Sequence, residues 1–179
     1  MKPFVYIGDI NIDSIANKLS NNNDWNNPYS IIRHSYYAVH SDTHIIPLMW
    51  SLESIKFEYT SKSAPKTEYW DKYVDKVFFK ELFKKINTYK TGHPIRVMFA
   101  LLPAQCFIYP HTDTGDSFSV NSRIHIPIVT NDKVEFTVGS ETIYMKQGEI
   151  FEIDNQDMHS VYNNSDEDRI HLILDWHAH

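Results

Sequence analysis

From Ile95 to the C-terminus the chain sustains no helical period; short apolar runs follow one another at hairpin-length intervals. The candidate strands are 95–102, 106–110, 121–129, 133–139, 141–146, 149–153, 158–163 and 169–175. Turn formers separate them: Gly115, Asn131-Asp132, Gly139-Ser140, Gln147-Gly148 and Asn164-Ser165. About eight short strands so spaced suggest two facing antiparallel sheets, a cupin-type jelly roll.

The first 94 residues read differently. Ile12, Ile15, Ala16 and Leu19 recur at helical spacing and predict a short helix over 10–20. Between Tyr69 and Tyr89 an apolar face of Tyr73, Val74, Val77, Phe78, Leu82 and Ile86 opposes Lys72, Lys76, Lys80 and Lys84. A helix there is expected to pack on the outside of the sheet. The expected fold is mainly β with flanking helices (α+β): one domain over 1–179, with helical and strand elements in 1–94 supporting a core jelly roll in 95–179.

Charge narrows the partners. A formal net charge of -6 and a sequence pI near 5.9 lack the basic excess that phosphate backbones or anionic membrane surfaces require. The expectation is no nucleic acid and no membrane. No run approaches the roughly 20 apolar residues of a membrane span, and the apolar patch after Met1 is too short for a signal segment. Cys106 is the sole cysteine, so no intrachain disulfide can form and a reducing compartment, the cytoplasm, is expected.

His111 and Asp113 stand two apart at a strand end, so both side chains leave one face and can grip one ion. His159 heads a later strand and can supply a second imidazole. Two neutral imidazoles and a carboxylate on one face of an octahedron leave three positions open, which reads as non-haem Fe(II). Arg169 opens the next apolar run, and its guanidinium can fork onto a carboxylate with two parallel hydrogen bonds, suiting a dicarboxylate such as 2-oxoglutarate.

Each residue has a plainer reading. His-x-Asp alone is common, His159 alone could be a satisfied core or turn histidine, Arg123 could be surface, and Arg169 could pair with Asp175 in a structural ion pair. His40 and His44 have the separation of a helical zinc pair, but no glutamate follows His40, so they read as surface or core histidines.

The pattern resembles the aspartyl/asparaginyl β-hydroxylase family. The resemblance is carried by His111-Thr-Asp113, Arg123-Ile-His125-Ile-Pro-Ile, Gly148-Glu-Ile-Phe-Glu-Ile-Asp154, His159, Arg169 and Asp175-Trp-His, from about residue 96 onward. It implies a double-stranded β-helix using Fe(II), 2-oxoglutarate and O2, with His111, Asp113 and His159 as metal ligands. It further implies Arg169 on the far carboxylate of 2-oxoglutarate, His125 near the other carboxylate, and Arg123 reaching the substrate. The implied reaction hydroxylates an unactivated carbon of an amino acid or amino-acid residue, free or in a peptide and bearing a carboxylate, with release of succinate and CO2. This chain departs from the animal enzymes at Asp113, where they have glycine, and at Ala100, where they have a serine supporting the far carboxylate. A non-oxidative metal-binding cupin, an isomerase or small-molecule binding module, is the alternative, since fold does not fix function.

Overall fold

The computed structural model describes residues 2–20, 23–36, 38–50 and 61–179. In chain order it contains β1 (Phe4–Asp9), α1 (Asp13–Leu19), α2 (Pro28–Tyr36), a 3-10 turn (Ala38–His40), β2 (His44–Met49), α3 (Trp70–Tyr73), α4 (Lys76–Tyr89), β3 (Gly92–Leu102) and β4 (Phe107–His111). Then follow α5 (Asp116–Val120), β5 (Ser122–Val129), β6 (Val134–Val138), β7 (Glu141–Ile143), β8 (Glu149–Ile153), β9 (His159–Asn163) and β10 (Arg169–Ala178). The strands form a six-stranded sheet, β1-β8-β5-β10-β3-β2, facing a four-stranded one, β4-β9-β6-β7. Every pairing between them is antiparallel, as the jelly-roll expectation requires.

The pleat divides the large sheet chemically, because successive side chains point to opposite faces. On its outer face Ile124, Ile126 and Ile128 are fully buried in one cluster with Leu172, Leu174, Trp176, Ile15 of α1 and Leu82 and Ile86 of α4. Burying a side chain of that size contributes about 1.5–3 kcal/mol, so this face holds the helices to the sheet. The intervening positions Arg123, His125, Arg169, His171 and Asp175 point the other way, between the sheets, and none exceeds 8% exposure. A second apolar cluster, with Phe4, Leu102, Val134, Phe136, Val138 and Val161, fills part of the space between the sheets.

The apolar stripe expected over Tyr69–Tyr89 breaks into α3 and α4. Val74 and Asp75 take extended backbone, and the Asp75 carboxylate accepts from the Val77 and Phe78 amides, capping donors that a fresh helix leaves unsatisfied. Val77, expected on the apolar face, is 77% exposed; it lies about 140° around the helix from Leu82 at 3.6 residues per turn. The face that packs is Phe78, Phe79, Leu82 and Ile86.

β3 begins at Gly92 and β10 runs to Ala178, each extending an expected strand by three residues, and Gly92 pairs with Ala178. A Cβ at Gly92 would stand 2.0 Å from the His177 carbonyl oxygen and 2.6 Å from Trp176 Nε1. That nitrogen donates to the Lys90 carbonyl at 3.0 Å, so neither neighbour can yield cheaply. Gly92→Ala is expected to cost about 1–3 kcal/mol of stability through overpacking, read as a lowered midpoint of thermal unfolding; an unchanged midpoint would refute the close approach.

Candidate metal centre

His111 ends β4, His159 begins β9, and the two are direct cross-strand partners. Their ring centroids lie 4.3 Å apart. Asp113 follows where the chain leaves β4, its amide held by the Asn155 carbonyl at 3.0 Å. One ligand atom from each of His111, Asp113 and His159 lies within 4.8 Å of the others, so the structure brings together the three residues singled out from spacing.

Backbone carbonyls set both imidazoles. Nδ1 of His111 lies 2.7 Å from the Tyr109 carbonyl oxygen, and Nδ1 of His159 lies 3.0 Å from that of Asp157. A carbonyl only accepts, so both Nδ1 atoms carry the proton and both Nε2 atoms present lone pairs, the form that binds metal. Burial lowers the pKa of His159, outweighing the nearby Asp113 carboxylate, which favours the neutral ring.

Asp113 is held from behind. Its Oδ2 accepts from Arg123 Nη1 at 2.7 Å, while Oδ1 lies 3.9 Å from His111 Nε2. Arg123 in turn donates from Nε to Asp175 Oδ1 at 2.9 Å, and the other oxygen of Asp175 accepts from Arg96 Nε at 2.6 Å. Strand register builds this chain: Asp175 on β10 is paired with Arg96 on β3 and with Arg123 on β5. Burial alone would raise the Asp175 pKa, but Arg123 and Arg96 hold it below the usual carboxylate range. Burial likewise opposes the charge on Arg123, and Asp113 and Asp175 prevail. Arg123, expected to reach the substrate, thus stands at the cavity wall with two carboxylates already on it.

Arg169 lies on the same strand and face as Asp175 but does not pair with it. It is 1% exposed, and among the described residues no carboxylate lies within ion-pair distance of it. Burial pushes its pKa down to about 9, leaving it cationic at neutral pH. Nη2 donates to His171 Nδ1 at 2.6 Å, and among the described residues Nε has no hydrogen-bond partner. Nε2 of the buried His125 is also without one, its imidazole kept neutral by burial and by the cations Arg169 and Arg123.

Two cavities meet at the triad. One, of about 280 Å³ and lined by Trp50, Arg96, Asp113, Phe118 and Arg123, approaches the lower end of the range of small-molecule sites. A smaller recess between the sheets is lined by Arg169, His125, His159, Phe136 and Ala100. His111, His40 and Arg33 border both. His40 packs edge-on to His111 with ring centroids 4.9 Å apart. Its spacing relative to His44 carried no hint of this, because the 3-10 turn delivers it from a distant part of the chain. Arg96 stacks over Phe118 at 4.4 Å and faces Trp50 at 5.5 Å, a further cavity cation that no motif marked.

The donor set fits a divalent transition metal, with two lone-pair imidazole nitrogens and a carboxylate grouped together. The recess suits an anionic group: among the described residues its buried cation Arg169 has no counter-charge, and Arg169 Nε and His125 Nε2 have no hydrogen-bond partner.

A family model described as aspartyl/asparaginyl beta-hydroxylase matches residues 77–178. No protein in the curated comparison set matches the sequence. Among solved structures, an oxidoreductase of the 2OG-Fe(II) oxygenase family from Burkholderia pseudomallei superposes with a TM-score of 0.56 at 13% identity, over 78% of this chain and 70% of that one. A Cupin 2 conserved barrel domain protein from Salinispora arenicola gives 0.38 at 15% identity, over 48% and 65%. A predicted oxalate decarboxylase from Thermotoga maritima gives 0.38 at 16%, over 52% and 72%.

Proposed function

The chain belongs to the aspartyl/asparaginyl β-hydroxylase family and is a 2-oxoglutarate- and Fe(II)-dependent oxygenase; from that premise we propose that it hydroxylates an unactivated carbon of an amino acid or amino-acid residue. The balanced reaction takes the substrate C–H, O2 and 2-oxoglutarate to the alcohol, succinate and CO2. Iron with 2-oxoglutarate supplies the oxidising chemistry; the side chains hold, orient and neutralise.

His111, Asp113 and His159 hold the metal. Arg169 takes the far carboxylate of 2-oxoglutarate in the recess, and His125 stands near the other carboxylate. The single observation that carries this reading is the buried Arg169, which has no carboxylate partner among the described residues, in a recess that adjoins the triad. A permanent structural arginine at such depth would be expected to keep a counter-ion.

The substrate occupies the larger cavity, whose wall carries the guanidinium groups of Arg96 and Arg123. Guanidinium groups on that wall favour a substrate bearing a carboxylate. No helix among the described residues is long and apolar enough to cross a membrane; the single cysteine and the need for ferrous iron fit the cytoplasm, which we assign as the compartment.

The reading is tested by incubating the Fe(II)-loaded protein with 2-oxoglutarate, O2 and a panel of free amino acids and peptides containing Asp, Asn or Pro. Succinate release matched by a mass gain of one oxygen is the expected result. Absence of any 2-oxoglutarate consumption across the panel would overturn the reaction class, and activity confined to substrates without a carboxylate would overturn the substrate class.

A further inference from the structure

Beside Arg169, behind the wall of the recess, stands a buried polar residue to which neither the motif nor the proposed reaction gives a part. His171 lies on β10 two residues beyond Arg169, 1% exposed, and faces inward with it. Its cross-strand partner on β3 is Ala100, whose single methyl leaves room for an imidazole on that side.

The hydrogen bonding determines its tautomer. Arg169 Nη2 can only donate, so at 2.6 Å the Nδ1 of His171 must accept. Burial and the adjacent Arg169 charge hold the His171 pKa far below its ordinary value, so the ring is neutral and its one proton sits on Nε2. His125 Nδ1 approaches the same Nδ1 at 3.4 Å, the longer and weaker contact. The consequence falls on Arg169. A guanidinium is planar, so fixing one terminal nitrogen in a buried site restricts rotation of the whole fork and settles where Nε, without a partner among the described residues, can point.

We propose that His171 is the positioning residue for Arg169, orienting its guanidinium so that the recess selects a 2-oxo acid with a second, distal carboxylate over one without it. The inference rests on the oxygenase reading above and deepens it. Arg169 contacts the ligand; His171 acts through Arg169 by supplying a neutral acceptor at Nδ1. A carboxylate in that place would neutralise Arg169 and compete with the ligand, and an apolar side chain would leave the fork free to turn.

The test compares His171→Asn with His171→Gln by calorimetry on Fe(II)-loaded protein without oxygen, titrating 2-oxoglutarate and, separately, pyruvate. The amide oxygen of asparagine falls near the place of Nδ1, whereas the longer glutamine carries its amide to the place of Nε2; both are polar and uncharged, so neither buries a new charge. His171→Asn is expected to bind 2-oxoglutarate within about threefold of wild type, and His171→Gln to bind it about tenfold or more weakly, the scale of one hydrogen bond to a charged group. Pyruvate, lacking the distal carboxylate, is expected to bind all three proteins alike. Equal 2-oxoglutarate affinity in the two variants, or a parallel loss for pyruvate, would overturn the positioning role. A wild-type protein that binds pyruvate and 2-oxoglutarate equally would overturn the distal-carboxylate reading itself and the inference with it, a result visible before any variant is made.

Discussion

Alanine at His111 or His159 is expected to abolish turnover and weaken Fe(II) binding by about a hundredfold or more, since losing even an outer partner of a metal ligand typically costs about 10–100-fold. The two histidines present lone pairs on Nε2 because carbonyls of Tyr109 and Asp157 occupy Nδ1, and no other described residue completes a three-ligand cluster. Asp113→Ala is expected to lose metal and turnover and to lose stability as well. Its Oδ2 lies 2.7 Å from Arg123 in a pair whose side chains are 7% and 10% exposed. Breaking a buried pair from one side costs about 3–5 kcal/mol, and the lower end applies because Arg123 keeps Asp175. Anaerobic Fe(II) titration and thermal unfolding of the metal-free variants separate the two effects. Unchanged metal affinity in all three would sink the triad; equal thermal stability of the three would sink the Asp113–Arg123 pair.

Arg169→Met is expected to bind 2-oxoglutarate more weakly by about 1.5–3 kcal/mol, the value of a hydrogen bond to a charged group, while the ligand-free protein becomes more stable. The two signs have one cause. Arg169 is fully buried without a carboxylate among the described residues, so the empty site keeps the desolvation cost of a cation, and an apolar side chain of similar length removes it. Replacing buried charged groups by apolar ones of like volume can raise stability by about 1–4 kcal/mol, and one unpaired cation should give at least the lower value. Thermal unfolding with and without 2-oxoglutarate reads both: a higher midpoint without ligand and a smaller ligand-induced shift. A variant that unfolds earlier yet responds fully to 2-oxoglutarate would make Arg169 a structural residue.

What could be read from the chain alone follows from how local each signal is. The strands of the jelly roll were legible because alternation and turn residues are written within a few positions, and each of 95–102, 106–110, 121–129, 133–139, 141–146, 149–153, 158–163 and 169–175 contains or overlaps a strand. β1 and β2 were not named, and both are sheet edges. β2 carries Pro47, which an edge tolerates and a central strand does not, and β1 holds Gly8 where its register shifts. α5, with five residues, is too short to show a period. Within the site, the grouping of His111, Asp113 and His159 was legible because His-x-Asp sets two side chains on one face and the order of the family's motifs points to the third. Asp175 as a clamp on Arg96 and Arg123 was not, since cross-strand partners depend on a register the sequence does not state. His40 reaches His111 through tertiary packing, and the open valences of Arg169 and His125 exist only once the neighbours that fail to satisfy them are in place.

The alternation along β5 has an evolutionary consequence. Ile124, Ile126 and Ile128 cement the sheet to its helices, while Arg123 and His125, interleaved with them, face the reaction chamber. Change confined to the chamber therefore falls on one set of codons and change confined to the sheet-to-helix packing on the other, although the two are adjacent in the gene.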